Sequence, residues 1–216
     1  MIFKLYLWKN LSTGKHMRKF LFIGMMLISL VLTAQSGKVL QQIKAEAQKI
    51  NTIDAAFVQT KNISFIDEQL VSSGKFWFSR PDKMRWEYQK PFFYSIIING
   101  DDITIVDDKR ESRFDAASNA MFGQIKLVIM NMVNGKMFDD PGYHATLTEE
   151  DKFYVVNFET VNKAMKDYIT SIDLYFTKDS FLMETIRMNE ASGDNTMIEF
   201  KNQKLNQPLS NDIFKP

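Results

Sequence analysis

The amino-acid sequence predicts a mainly β protein of the α+β class, in which antiparallel strands make up most of the chain and two helices accompany them. Over most of the 216 residues, apolar and polar side chains alternate with a period of two, which is the pattern of half-buried strands. Short turns rich in Asp, Asn and Gly separate these segments, so sequence neighbours are expected to pair antiparallel. Two segments, residues 36–50 and 121–133, instead follow helical spacing.

Residues 1–34 have the features of a secretory signal peptide, which predicts export across a membrane. A positively charged start at Met17 leads into an apolar run at residues 20–32, and the small residue Ala34 marks the expected cleavage site. The run is shorter than a comfortable membrane span. Residues 1–16 precede this better start and are interpreted as upstream of the true start codon. A signal anchor is the alternative interpretation of the leader.

The chain that follows the leader, residues 35–216, is predicted to form a single domain and to act as a monomer. It contains no cysteine, so no disulfide supports the fold in an oxidising compartment, and the core must suffice. For the same reason the protein is not itself a lipidated lipoprotein. Removal of the leader takes away five basic residues and no acidic one, which changes the net charge from +1 to −4. A mildly acidic protein has no general affinity for nucleic acid.

The predicted elements begin with an amphipathic helix at residues 36–50. Its apolar side chains recur at three- and four-residue spacings, and Ser36 is a suitable N-terminal cap. From Asp54 the period changes to two, with Phe57 and Gln59 on the same face of the first strand.

The second predicted strand is Gly74–Arg80, which carries Phe76, Phe78 and Arg80 on one face and ends at Pro81. The spacing allows two interpretations of Arg80. If the phenylalanine face is the concave, apolar one, the guanidinium brings five donors to a place with little water and needs partners on a covering helix. Otherwise Arg80 is an exposed arginine at a strand end.

Later strands follow the same rule. Asn99-Gly100 is a strong hairpin signal between two of them, and Asp107-Asp108 marks the next turn. The strands are predicted at residues 84–89, 92–98, 103–106, 143–148, 153–160, 168–176, 181–188 and 196–201.

Residues 121–133 interrupt this pattern with a helix that is apolar nearly all round and that ends at Asn134-Gly135. Such a helix must be covered on both sides. In a small protein it therefore lies between the sheet and another element, or it closes an apolar space.

Catalytic chemistry is poorly represented, and we expect neither an enzyme nor a cofactor. After the leader, His144 is the only histidine and there is no thiol, which excludes Cys-His and multi-His zinc sites. No glycine-rich phosphate loop occurs. Four acidic pairs raise the alternative of a glycosidase or a calcium site, but they fall at predicted hairpin ends, where Asp serves turn geometry. These pairs are Asp101-Asp102, Asp107-Asp108, Asp139-Asp140 and Glu149-Glu150.

A set of motifs in order along the chain resembles the outer-membrane lipoprotein carrier (LolA-type) family. The motifs are Phe57-Val58-Gln59, Gly74, Phe76-Trp77-Phe78-Ser79-Arg80-Pro81, Met84-Arg85-Trp86-Glu87-Tyr88, Pro91, Asn99-Gly100, and near the end Met188-Asn189-Glu190, Gly193-Asp194, Thr196 to Phe200, Asn202, Asn206 and Phe214. Two features depart from the family. The family often has an aromatic residue where this chain has Asp102-Ile103-Thr104, and the helix at residues 121–133 matches in character only.

The resemblance implies an unclosed antiparallel β-barrel, a strongly curved sheet whose apolar concave face is covered by helices. It implies a periplasmic carrier that takes acylated lipoproteins from an ATP-driven inner-membrane releasing transporter and passes them to an outer-membrane receptor. The family's functional arginine matches Arg80, which in the family hydrogen-bonds to the lid helices in the closed form. The same fold also serves lipid- or protein-sensing periplasmic modules and glycolipid carriers, and these are the alternative functions.

On this interpretation, the side chains that face the concave side and the apolar helix are predicted to line a lipid-binding cavity. Phe and Met supply area without a shape-specific grip, which suits cargo that must be released again. The predicted lining residues are Phe57, Phe76, Phe78, Met84, Trp86, Ile96, Ile98, Ile125, Val128, Ile129 and Met132.

Overall fold

The computed structural model describes residues 36–66, 68–118 and 120–216. The predicted signal peptide lies outside these ranges and stays a prediction. Residues 42–216 form one compact unit, and the described residues 36–41 of the preceding unit are helical.

Eleven strands, three α-helices and two short 3-10 helices are present in the described ranges. The helices are α1 (36–49), α2 (Ala120–Val133) and α3 (Lys163–Lys166), and the 3-10 helices are Met137–Asp139 and Asn211–Phe214. The strands are β1 (Thr52–Asn62), β2 (Gln69–Ser79), β3 (Lys83–Lys90), β4 (Tyr94–Asn99), β5 (Asp102–Asp107), β6 (Glu111–Asp115), β7 (Tyr143–Glu149), β8 (Phe153–Thr160), β9 (Ile169–Thr177), β10 (Met183–Glu190) and β11 (Asn195–Leu205).

All eleven strands belong to one antiparallel sheet in the order β6-β5-β4-β3-β2-β1-β11-β10-β9-β8-β7. The pairing of β1 with β11 joins the two ends of the chain at the middle of the sheet, with Phe57 opposite Phe200. The outermost strands β6 and β7 each pair on one side, so the sheet does not close into a barrel.

The sheet is strongly curved, as a contact between distant strands shows. Trp86 on β3 and Phe200 on β11 are three strand positions apart, which would separate them by about 14 Å in a flat sheet. Their ring centroids are 6.0 Å apart, so the strands bend toward each other on this face. The prediction of a mainly β, unclosed and curved antiparallel sheet with covering helices is therefore confirmed.

The convex face of β3 and β4 is covered by the end of the chain. Arg85 on β3 donates to the backbone carbonyl oxygens of Ile213 at 3.2 Å and Lys215 at 2.8 Å, and Phe214 between them is buried. Ser95 and Ile97, which point to this side of β4, are also buried. This covering leaves the concave face as the side on which a ligand site can form.

Three features of the sheet were not predicted. Strand β6 has the sequence Glu-Ser-Arg-Phe-Asp, in which one apolar residue gives no alternating pattern, and its pairing with β5 forms it. Strand β2 begins at Gln69 rather than Gly74, because its polar start pairs with the end of β1. Strand β11 extends to Leu205, past the predicted end at residue 201.

Within residues 36–66, 68–118 and 120–216, no helix is long and apolar enough to cross a membrane.

Candidate functional site

A cavity of about 190 Å³ lies between the concave face of the sheet and α2. Its wall is almost entirely apolar and draws on β1, β2, β3, β4, β10, β11 and α2. The lining residues are Ile53, Gln59, Phe76, Met84, Trp86, Tyr88, Ile96, Ile129, Met132, Val133, Met183, Ile186, Met188, Ile198, Phe200 and Gln203.

Aromatic rings form one wall of this cavity, because the period-two pattern of β1, β2, β3 and β11 points them to the same side. Phe76 lies 5.1 Å from Trp86 and 5.5 Å from Phe200 between ring centroids. Phe57 lies 5.0 Å from Trp86 and 5.2 Å from Tyr88. The edge-to-face and tilted arrangements are those that aromatic pairs prefer, so this wall is well packed.

The opposite wall is aliphatic and carries three methionines and several isoleucines from α2, β10 and β11. Methionine side chains have three rotatable bonds and adjust to irregular contacts. One wall of the cavity is therefore firmly packed, and the other can change shape.

Gly74 lets side chains on β1 and β3 meet across β2. It pairs with Phe57 on one side and Tyr88 on the other, and it presents no side chain to the concave face between them. A Cβ atom at this position would lie 1.8 Å from the carbonyl oxygen of Glu87, so the strand spacing requires glycine. The contact between Phe57 and Tyr88 depends on this gap.

A hydrogen-bonded polar pair lies in the otherwise apolar wall. The Tyr88 hydroxyl donates to Gln59 Oε1 at 2.9 Å. Burial raises the pKa of the Tyr88 phenol above its ordinary value, Tyr94 reinforces this rise, and Trp86 and Gln59 partly offset it. The phenol is therefore protonated at neutral pH and serves as the donor of this bond.

Arg80 follows β2 at the end of the cavity and joins two helix termini. Its Nε donates to the carbonyl oxygen of Ile50 at 2.6 Å, and its Nη2 donates to that of Ala47 at 3.1 Å. Its Nη1 donates to Asn134 Oδ1 at 2.6 Å. Ala47 lies in the last turn of α1, and Asn134 directly follows α2.

A cation in this position supplements the ends of the helices, where the Ala47 carbonyl oxygen already accepts the backbone N–H of Ile50 at 3.3 Å. The last carbonyls of a helix have no intrahelical partner and carry partial negative charge. Asn134 is buried, so its side-chain oxygen needs a donor. Gly135, with a φ of +68°, lets the end of α2 approach Ala47 closely, since a Cβ there would lie 3.1 Å from the Ala47 Cβ. Arg80 thus holds α1 and α2 together at this end.

The other end of the concave face carries a half-buried ion pair. Lys61, at the end of β1, lies 2.9 Å from both carboxylate oxygens of Glu190 at the end of β10. Thr196 donates to the same carboxylate at 3.1 Å. Polar groups therefore mark both ends of the apolar space, with Arg80 at one end and Lys61 at the other.

The structure places the predicted lining residues in three groups. Those that line the cavity are Phe76, Met84, Trp86, Ile96, Ile129 and Met132. Those that are instead fully buried in the core are Phe57, Phe78 and Ile98, and Val128 is half-buried on α2. The Ile125 side chain lies outside the part of the chain that the structure describes.

The sequence interpretation missed the half of the cavity contributed by the end of the chain. Met183, Ile186 and Met188 on β10 and Ile198 and Phe200 on β11 line it. The alternation of Ile186 with Met188 and of Ile198 with Phe200 was visible in the sequence, whereas Met183 is set off by a register shift in β10. The pairing of β1 with β11 that brings these residues opposite Phe76 and Trp86 was not visible. Gln59 and Asn134 were also not assigned to the site, although the Phe57-Val58-Gln59 motif pointed to the first.

Three of the four acidic pairs lie at hairpin ends, as predicted, but Asp139-Asp140 lies at the end of the 3-10 helix between α2 and β7. Asp107 illustrates the reason, because its carboxylate accepts the backbone N–H groups of Lys109 and Arg110, both at 2.8 Å. These bonds lower the pKa of the Asp107 carboxyl. Among the described residues, no group of three Asp, Glu or His side chains is placed to hold a metal ion.

Comparison with known proteins identifies relatives of this chain. The family model for outer membrane lipoprotein carrier protein LolA matches residues 48–216. The outer-membrane lipoprotein carrier protein of Chromobacterium violaceum is 27% identical over 180 residues, which cover 83% of each chain. That of Cupriavidus taiwanensis is 25% identical over 154 residues, which cover 67% of this chain and 65% of the relative, so the match spans just under two thirds of its length.

Among solved structures, the fold of an uncharacterized conserved protein from Thermus thermophilus is similar to that of this chain. The TM-score is 0.52 and the sequence identity is 12%. The match covers 82% of this chain and 92% of that one. At this identity the likeness concerns the fold alone.

Proposed function

This chain belongs to the outer membrane lipoprotein carrier (LolA) family, and we propose that it shields the acyl chains of lipoproteins while they cross from the inner to the outer membrane. The family is one of periplasmic carriers rather than enzymes, and its cargo is lipoprotein. The single observation that supports the proposal is the apolar cavity between the curved sheet and α2.

The physical need for such a cavity follows from the cargo. Each methylene of an acyl chain gains about 0.8 kcal/mol when it leaves water, so lipoprotein chains free in water are strongly disfavoured. A carrier has to offer apolar area and still give the chains up to an acceptor. A wall of Phe, Ile and Met offers that area without a rigid shape.

The volume of the cavity indicates that the structure is a closed form. An engineered cavity of about 150 Å³ binds benzene. A cavity of about 190 Å³ is therefore too small for a complete long acyl chain. Cargo entry requires α2, which carries Ile129 and Met132 over the cavity, to move away from the sheet.

We assign the control of that movement to Arg80. Its three hydrogen bonds hold α1 and α2 at the end of the cavity, and bonds to a charged donor contribute about 1.5–3 kcal/mol each. Cargo that opens the lid has to replace this stabilisation. The contacts of Arg80 therefore keep the net affinity moderate and help the protein to expel its cargo.

The steps of transport are proposed from the resemblance to the family. The protein accepts acylated lipoproteins from an ATP-driven inner-membrane transporter and passes them to an outer-membrane receptor. The predicted signal peptide at residues 1–34 directs export to the periplasm and is then cleaved off. Residues 35–216 act as a single carrier domain.

The proposal is tested by expressing the full chain in a Gram-negative host, purifying the protein from the periplasm and measuring uptake of a synthetic triacylated lipopeptide by native mass spectrometry. Ile129→Glu places a charge over the cavity and is expected to abolish uptake. Leu127→Glu is the matched control, because Leu127 lies on the same helix and is exposed. Retained uptake in Ile129→Glu, or no uptake by the native protein, contradicts a carrier cavity.

A second experiment addresses release. Arg80→Leu removes the three hydrogen bonds and is expected to take up lipopeptide but to transfer less than about a tenth of it to acceptor membranes that contain an outer-membrane lipoprotein receptor. Lys83→Leu, a loss of charge after the same strand, is the control. Normal transfer by Arg80→Leu contradicts the role assigned to Arg80. A stable complex with a membrane-anchored regulator, without lipopeptide uptake, would favour a sensing module instead.

A further inference from the structure

The apolar cavity contains hydrogen-bond donors that a hydrocarbon chain does not need. Gln59, Trp86 and Tyr88 all line it. Gln59 lies on β1, and the other two lie on β3, which is separated from β1 by β2. A polar side chain in an apolar wall loses its water on ligand binding and gains nothing from methylene groups. Their presence suggests that part of the ligand is itself polar.

Gln59 is held so that its amide nitrogen is available. Its Oε1 accepts the Tyr88 hydroxyl at 2.9 Å, and this is its one side-chain hydrogen bond within the described residues. The phenol stays protonated because burial raises its pKa. With the oxygen occupied, the two donors of the –NH₂ group have no hydrogen-bond acceptor among the described residues.

Trp86 adds another donor on the neighbouring stretch of β3. Its indole N–H is buried and has no hydrogen-bond partner among the described groups. The Tyr88 hydroxyl is near enough for the indole to lower the pKa of the phenol, but the two groups do not reach hydrogen-bond geometry. The ring lies against Phe57 and Phe76, which leaves it little freedom to turn the N–H toward water. An unpaired buried donor is unfavourable. Because this N–H is closed off from the open space of the cavity, an acceptor brought by a ligand relieves it only once the neighbouring side chains shift.

Gln203 provides a contrast in the same cavity. Its Nε2 donates to the backbone carbonyl oxygen of Met183 at 2.8 Å. This hydrogen bond links β11 to β10, so the amide nitrogen of Gln203 already has a partner within the protein. The available donors are thus concentrated on Gln59 and Trp86 rather than spread around the wall.

We propose that Gln59 and Trp86, with Tyr88 as the positioning residue, bind the carbonyl oxygen of an acyl ester or amide inside the cavity. This inference rests on the proposed function and refines it, since it makes the site selective for acyl groups over other hydrocarbons. These donors have no acceptor within the described part of the chain, so they are suited to bind a carbonyl oxygen of the ligand. A carbonyl oxygen accepts hydrogen bonds and carries no proton to donate.

The position of these donors also orients the chain. Gln59 lies near the Lys61 end of β1, and Ile53 lines the cavity toward the Arg80 end. The six residue steps from Ile53 to Gln59 span about 20 Å, which is comparable to a long acyl chain. A carbonyl at Gln59 therefore directs the hydrocarbon tail toward Arg80 and leaves the polar end of the lipid at Lys61 and Glu190.

The test compares two lipids of equal chain length that differ only at the carbonyl, 1-monopalmitoylglycerol and 1-O-hexadecylglycerol. Binding to the periplasm-purified protein is measured by competition in native mass spectrometry. The ester is expected to bind about tenfold more tightly than the ether, the effect of one hydrogen bond made in an apolar site. Gln59→Leu is expected to weaken ester binding more than ether binding and to reduce the preference to about threefold, since Trp86 remains as a donor. Trp86→Phe is expected to reduce the preference as well, and Gln89→Leu, at an exposed position of β3 outside the cavity, is the control that keeps it.

Isotope-edited infrared spectroscopy supplies an independent readout. A ¹³C-labelled ester carbonyl is expected to absorb at lower frequency in the native protein than in Gln59→Leu, because the hydrogen bond weakens the C=O bond. Equal affinities for ester and ether in the native protein, or an ester preference that is unchanged in Gln59→Leu, overturn this inference and leave the carrier function standing. Failure of both lipids and of the triacylated lipopeptide to bind overturns the carrier function and this inference together.

Discussion

The concave face of this one sheet is covered in two different ways. On β1–β4, β10 and β11, here called the cavity wing, α2 covers the sheet and leaves about 190 Å³ open. On β7–β9, the filled wing, the chain occupies the space itself. Phe138 from the 3-10 helix that follows α2 packs on Phe158 at 5.2 Å and on Phe176 at 6.4 Å between ring centroids.

The two wings share a face and similar side chains. Phe158 pairs with Ile172, which pairs with Met188, so a residue of the filled wing and a residue that lines the cavity point to the same side. Val156, Phe158 and Leu174 are nonetheless fully buried. The difference lies in the covering segment, which is an aliphatic helix over one wing and a phenylalanine over the other. The empty space is therefore a property of the cover rather than of the sheet.

The largest expected effect comes from truncating the filled wing. Phe158→Ala removes a side chain that is 0% exposed and should lower the free energy of unfolding by about 3–5 kcal/mol, since a void replaces close packing. Denaturant unfolding followed by tryptophan fluorescence measures this loss. Lipopeptide uptake should be unchanged at temperatures where the variant is folded. Loss of uptake by folded Phe158→Ala would contradict the independence of the two wings.

A smaller effect is expected when the cover of the filled wing is opened. Phe138 is half-buried, so Phe138→Ala should cost about 2 kcal/mol, toward the lower end for a buried phenylalanine. The variant should also gain binding of an apolar dye at a second site, which fluorescence titration detects. Leu127→Ala, at an exposed position of α2, is the control and should change neither quantity. Unchanged dye stoichiometry would show that the cover does not decide which wing is open.

The smallest effect is expected from the converse change. Met132→Phe adds volume to the cover of the cavity wing and should raise the free energy of unfolding by about 1 kcal/mol, as cavity-filling substitutions do. Lipopeptide affinity should fall about tenfold, because closing the cavity now competes with cargo. Differential scanning calorimetry and the uptake assay measure the two effects. A stabilised variant with full uptake would mean that cargo binds elsewhere.

Local pattern predicted most of the sheet, and long-range pairing explains what it did not predict. The alternation of Phe76, Phe78 and Arg80 placed these residues on one face, as the structure has them. The same pattern could not reveal Asn134 as a partner of Arg80, since the two are 54 residues apart and meet through the packing of α2. Nor could it distinguish Phe76, which lines the cavity, from Phe78, which does not, because both alternate identically and both are buried.

The sequence marked Gln59 and Gly74 as members of motifs but did not show what either residue does. Their place in motifs marked them as unusual, yet a glutamine on a strand is ordinarily exposed and a glycine ordinarily marks a turn. Only the three-dimensional arrangement shows that the missing side chain of Gly74 lets Tyr88 reach Gln59. Residues whose role depends on a third strand are beyond what one-dimensional spacing can assign.

The unclosed sheet has a mechanical consequence. A closed barrel has its girth fixed by its strand number and stagger, and widening it would break backbone hydrogen bonds. Within the described ranges β6 and β7 each pair on one side only, so the sheet resembles a split ring that can spread while every ladder stays intact. The energy needed to admit a thicker cargo is then one of bending rather than of bond rupture. One protein of this kind can serve a family of cargoes whose acyl groups differ in number and length.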